Sequence, residues 1–149
     1  MGLPADLVQE IEDVCSTQQI ESREPIRAVH ALIGEDTVLD HAVWGGPGYS
    51  QENLVLDVYV LGSWGLYNYA VHRDKGETAG TGGCTFLDEL GHVSIMKVPY
   101  PRSPHVLAMV RGSLTTGLLF GGEDDLSRLE HFRQNLIAAR AKLFSRARG

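Results

Sequence analysis

Cysteine is scarce in this chain: Cys15 and Cys84 stand alone, far apart and in no CxxC spacing. That excludes a disulfide framework and a cysteine-rich zinc module, and it fits two reduced thiols in a cytoplasmic protein. Positive charge is also short, with 13 Lys and Arg against 19 Asp and Glu and a net charge of -6. A nucleic-acid binder needs a basic face to neutralise phosphates, so the balance argues against that class. Long apolar runs are missing too, and none approaches the ~20 residues of a transmembrane helix. The opening Met1-Gly-Leu-Pro-Ala-Asp6 has neither a basic start nor an apolar stretch behind it, so no signal peptide is expected. Asp6 stands where a myristoylation motif wants Ser or Thr.

Catalytic signatures are missing in the same way. No GxxxxGK[ST] loop is present to cradle phosphates. Gly80-Thr-Gly-Gly83 lacks the third glycine of GxGxxG and opens no clear helix. Ser63 lacks the glycine two residues earlier that a nucleophile elbow needs. The six histidines, His30, His41, His72, His92, His105 and His131, show no HxH or HExxH spacing. A metal would have to be gathered across strands, with His41, His72 and His92 as the residues to watch. Cys84 with His92 as its base is the one nucleophile pair the sequence offers, and only closeness in space could make it one. No catalytic residue, cofactor site or metal site is therefore assigned.

What is present is a globular composition, 43% hydrophobic and 21% charged, in 149 residues. That length supports one domain with a real core. Residues 1–34 read as a helical prefix packed on a domain of residues 35–149. Leu7, Val8, Ile11, Val14 and Cys15 share one helical face, which places Cys15 in the core. Pro25 can open a second helix whose apolar face is Ile26, Val29, Leu32 and Ile33, with Gly34 as its stop and His30 on the opposite side.

Strands follow. Val38 to Trp44 is one, and Gly45-Gly-Pro-Gly48 ends it. Leu54 to Leu61 alternates with period two, Gly62-Ser63 predicts a type II′ turn, and Trp64 to His72 resumes the alternation. Arg73 to Gly83 is polar and glycine-rich and reads as a mobile connection. Cys84 to Leu87 is a short strand, Asp88-Glu-Leu-Gly91 a kink, and His92 to Val98 a further strand. His105 to Arg111 and Leu114 to Phe120 form a second hairpin around Gly112-Ser113. The last element is an amphipathic helix, Asp125 to about Phe144, with Leu126, Leu129, Phe132, Leu136, Ala139 and Leu143 on one face.

The expected fold class is thus α+β, with about seven antiparallel strands in hairpins and a closing C-terminal helix. Three stretches resemble the bacterial pleckstrin-homology (PH)-like domains: Leu32-Ile-Gly-Glu35 before the first strand, Phe86-Leu-Asp-Glu-Leu-Gly-His-Val93 at a bent strand, and Phe120-Gly-Gly leading into the Leu126–Leu136 repeat. The resemblance covers roughly residues 33–143. It implies a seven-stranded bent sheet or barrel closed by the C-terminal helix, and a binding or scaffolding role. Some PH domains hold phosphoinositides with Lys and Arg after the first strand. Here that loop, Gly45 to Glu52, has no cation and one acid, which argues against such a ligand.

Protein contact or self-association is the function expected, with a small-molecule or lipid-binding barrel as the alternative. Charge is divided between the ends: residues 1–53 hold ten acids against Arg23 and Arg27, while residues 127–149 hold Arg128, Arg133, Arg140, Lys142, Arg146 and Arg148 against Glu130 alone. The expected contact surface joins the basic helix residues Arg128, Arg133 and Arg140 to Lys97, Tyr100, Arg102 and His105 on a proline-stiffened loop.

Overall fold

The structure, a computed structural model, describes residues 2–45, 53–97, 105–111, 114–119 and 126–148. Two helices come first, α1 (Ala5–Thr17) and α2 (Arg23–Ile33). Gly34 stops α2 with a φ of 60°, a backbone state that favours glycine. Four strands follow, β1 (Val38–Trp44), β2 (Leu54–Gly62), β3 (Gly65–Asp74) and β4 (Glu77–Phe86). A single 3₁₀ turn, Leu87–Glu89, leads to β5 (Leu90–Lys97), β6 (His105–Arg111) and β7 (Leu114–Leu119), and α3 (Leu126–Arg148) ends the order. No helix among the described residues is long and apolar enough to cross a membrane.

The fold class is α+β and every strand pair is antiparallel. The single seven-stranded sheet expected from the sequence is not what forms. The strands divide into one sheet of order β1-β2-β3-β4 and another of order β5-β6-β7. The reason lies at the 3₁₀ turn, where Leu87 N–H donates to the Trp64 carbonyl at 2.9 Å and the chain leaves the edge of the first sheet. Among the described residues no ladder joins β4 to β5.

Two more corrections concern turns. The glycine-rich stretch after Arg73 is not a mobile connection but β4, paired with β3 from Gly65–Phe86 down to Asp74–Glu77. Its turn is Lys75–Gly76, with φ of 53° and 83°, the two positive values of a type I′ hairpin loop. The β2–β3 loop is Ser63–Trp64 rather than Gly62–Ser63, because Leu61 pairs with Leu66. Gly62 is a strand residue without positive φ.

The β2–β3 hairpin is covered on both faces. Toward one side, Val58, Val60, Tyr67, Tyr69 and Val71 pack with Leu7, Ile11 and Cys15 of α1 and Val29 and Ile33 of α2. Toward the other, Ala42, Leu61 and Leu66 pack with Leu87, Leu90 and Val93 and with Leu129, Phe132, Leu136 and Ala139 of α3. The three- and four-residue spacing on α3 is what brings those four side chains to one seam. The expected first residue of this helix, Asp125, lies outside the described residues.

Phe132 is fully buried at the centre of the α3 seam. Phe132→Ala should cost about 3–5 kcal/mol. Urea unfolding followed by circular dichroism checks this through the midpoint, with an unchanged slope.

Candidate functional site

The β2–β3 loop is built around Asp36, which follows α2. Its Oδ1 accepts from Ser63 N–H at 2.8 Å, and its Oδ2 accepts from Trp64 N–H at 3.2 Å and from Tyr67 Oη at 2.7 Å. One carboxylate thus satisfies the donors of a loop that has no positive-φ glycine to shape it. Glycine is needed beside it for another reason: a Cβ on Gly62 would collide with the Asp36 carboxylate. Across the hairpin, a Cβ on Gly65 would come within 2.7 Å of Cys84 Sγ. Burial, and then the Asp36 carboxylate, raises the Tyr67 phenol well above its ordinary range.

This braced loop displays apolar surface. Trp64 is 54% exposed and Phe86, opposite Gly65, is 56% exposed. Leu39, 46% exposed, falls at the bulge of β1 facing Leu61–Gly62. Three of the four large exposed hydrophobics among the described residues therefore gather at one end of the four-stranded sheet, with Phe144 the exception.

A second polar group ties the helices to β1. His41 places Nδ1 3.1 Å from Glu10 Oε2 and Nε2 3.2 Å from Asp6 Oδ2. Arg128 of α3 donates to the same Glu10 carboxylate at 3.1 Å and to the His41 carbonyl. The hydrogen bond and charge of Glu10, with Asp6 adding to them, raise the His41 pKa above its ordinary 6.5.

A third lies within the core. Asp57 is 5% exposed, on the side of β2 that faces α3 and the second sheet. Asn68 Nδ2 donates to its Oδ1 at 2.6 Å, and Tyr59 also hydrogen-bonds to it. Burial outweighs both bonds and pushes its pKa from 3.8 to about 6.

The basic residues expected to form a contact face are engaged within the chain. Arg133 Nε donates to the Val93 carbonyl at 3.4 Å. Arg140 donates to the carbonyls of Leu90, at 3.0 Å, and Gly91. With Arg128 they clamp α3 to β1 and β5. Lys97 and His105 are register partners at the mouth of the β5–β6 hairpin, while Tyr100 and Arg102 lie outside the described residues.

The histidines do not converge. His41 faces α1, and His72 lies on the opposite face of the sheet with Asn68 and Ala70, while His92 belongs to the other sheet. No group of three metal-ligating side chains forms among the described residues. Cys84 is no activated nucleophile, since burial and then the Asp36 and Glu89 carboxylates raise its thiol pKa. Cys15 is buried as expected, and its thiol is pushed up to about 11. A groove of about 560 Å³ opens between the start of α1 and the α2–β1 connection, lined by Leu3, Pro4, His30, Ile33 and Val38 among others.

Neither a protein-family model nor a curated protein matches this chain.

The Asp36 carboxylate accepts from four donors, Thr37 N–H, Ser63 N–H, Trp64 N–H and Tyr67 Oη, so Asp36→Ala should destabilise by on the order of 2 kcal/mol. Amide exchange at Ser63 and Trp64 should accelerate before that of the β2–β3 core, which hydrogen-exchange mass spectrometry resolves. Two groups set the pH dependence in one direction. Asp57 binds its proton more tightly folded than unfolded, so its contribution is complete below 3.8 and is lost as pH rises through about 6. His41 contributes fully below 6.5 and its share is lost as pH rises through its elevated folded pKa. Asp57→Asn should remove the first loss, worth about 3 kcal/mol. The checking measurement is the denaturation midpoint from pH 4 to pH 8: the variant should be flatter over the lower half and more stable at the upper end.

Proposed function

We propose that this protein is a cytoplasmic, PH-like binding domain that makes protein–protein contacts and carries no chemistry of its own. In this reading the two sheets are the halves of a bent PH-like sheet, with α3 as the closing helix. The observation that carries the reading is the Leu39, Trp64 and Phe86 group on a loop braced by Asp36. Apolar side chains already held in place lose little freedom on binding, and aromatic residues are enriched at the centres of protein interfaces. The Lys97–His105 register pair of the β5–β6 hairpin belongs, in this reading, to a second contact region. Arg128, Arg133 and Arg140 act mainly as clamps, while Lys142 and Arg146 are exposed cations of the C-terminal helix.

The small-molecule or lipid barrel draws less support. The space between the four-stranded sheet and α3 is filled by Leu61, Leu66, Leu129, Phe132 and Leu136. No basic loop follows β1 to receive an anionic headgroup.

Photo-crosslinking tests the proposal. A benzophenone amino acid at position 64 should give protein adducts in cells, and the same probe at position 144 should give far fewer. Absence of protein adducts at position 64, or lipid adducts in their place, would overturn it.

A further inference from the structure

Strand β4 stands apart from the rest of the fold. From Glu77 to Cys84 every residue is exposed, and so is Phe86. Its inner edge is paired with β3 along its whole length, and among the described residues nothing pairs with its outer edge. Alternate residues of an antiparallel strand turn their N–H and C=O groups outward, so this edge offers a row of unused donors and acceptors. Natural edges are usually blunted by lysine, proline, bulges or shortness. β4 has none of these: it is ten residues long, regular in register, and uncharged from Thr78 to Phe86.

Its glycines have a local cause on the side facing α2. A Cβ on Gly80 would strike the Tyr69 hydroxyl, and one on Gly82 would come within 2.7 Å of Leu32 Cδ1. That accounts for two of them. Gly83 has nothing within reach of a Cβ, so no packing demand keeps the strand bare there.

We infer that the outer edge of β4 pairs with β4 of a second copy, antiparallel about a two-fold axis, to make one continuous eight-stranded sheet. This rests on the reading of the protein as a contact module and names its partner. The argument for a second copy is self-complementarity. A two-fold axis perpendicular to the sheet at Thr81 sets that threonine opposite its own counterpart, Ala79 opposite Gly83, and Glu77 opposite Thr85. No like charges meet, and the central pair is the threonine–threonine kind that hydrogen-bonds across strands. Small residues along β4 let the two backbones approach without steric conflict. Phe86 of each copy then lies beside Gly76 in the other copy's β3–β4 turn, which joins the exposed aromatic end to the same interface.

Sedimentation velocity on the full chain tests the inference, over a broad concentration range and at low and high salt. The wild type should dimerise, with little dependence on salt, because the paired stretch is uncharged from Thr78 to Phe86 and its one carboxylate per copy, Glu77, faces Thr85 at the end of the ladder. Thr81→Lys and Thr81→Glu should each weaken the dimer by at least about tenfold, since like charges then oppose at the axis. An equimolar mixture of the two should restore a dimer, which rules out misfolding as the cause of the loss. A wild type that stays monomeric throughout, or a dimer indifferent to either charge, overturns the inference. A chain that is monomeric by sedimentation but still gives protein adducts at position 64 would leave the contact-module reading standing while removing the self-pairing.

Discussion

The β2–β3 hairpin is apolar on both faces, and most of the architecture answers that fact. β2 is buried at every position except Tyr59, which is partly buried. Strands of this kind cannot form one wall of a half-solvated sheet, because either face left open would expose a continuous apolar strip. The chain supplies two covers of different origin. The N-terminal helices bring Leu7, Ile11, Cys15, Val29 and Ile33 to one side. The second sheet and α3 bring Val93, Leu129, Phe132 and Leu136 to the other. The helical prefix is therefore half of the core rather than an appendage.

Polar groups then fix how those covers sit. Hydrophobic contact is non-directional and sets no register by itself. Glu10 is shared by His41 and Arg128, so one carboxylate relates α1, β1 and α3. Arg133 and Arg140 hold α3 against the carbonyls of β5. Asp57 is different in kind, because it is a buried carboxyl stabilised by Asn68 and Tyr59 and yet still displaced upward in pKa. Such a group opposes stability at neutral pH, and its position on the inner face keeps that face from being wholly apolar.

Periodicity made the helices and most strands readable from the sequence. The spacing of Leu129, Phe132 and Leu136 located the α3 seam, and Leu7, Ile11 and Cys15 located that of α1. The failures share a physical cause. The glycine and polar residues from Arg73 to Gly83 read as a mobile connection, but composition does not reveal that Tyr69 and Leu32 occupy the space a side chain would need. The positive φ pair at Lys75–Gly76 was a signal available in the sequence, since a glycine after a polar residue between extended runs suits a type I′ turn. Asp36 could not have been found that way, because its partners Ser63, Trp64 and Tyr67 are 27 to 31 residues distant. The basic residues of α3 were visible as charge, whereas their carbonyl acceptors on β5 depend on tertiary packing.

The placement of exposed apolar surface follows from how far each cover reaches. Packing by α1 is concentrated on β1 and β2, and α2 meets β3 and β4 through side chains such as Leu32. On the opposite face, α3 approaches the 3₁₀ turn, β5, β1 and β6. The fourth strand of the sheet consequently sits at the margin of the α2 cover, and its exposed residues show where cover ends. An uncovered strand of large apolar residues would be an aggregation hazard. Small and uncharged residues instead leave the backbone itself as the feature on display, bounded at one end by Phe86 and Trp64. The same incomplete cover that makes β4 a weak contributor to the core makes it the part of the fold best suited to meet another chain.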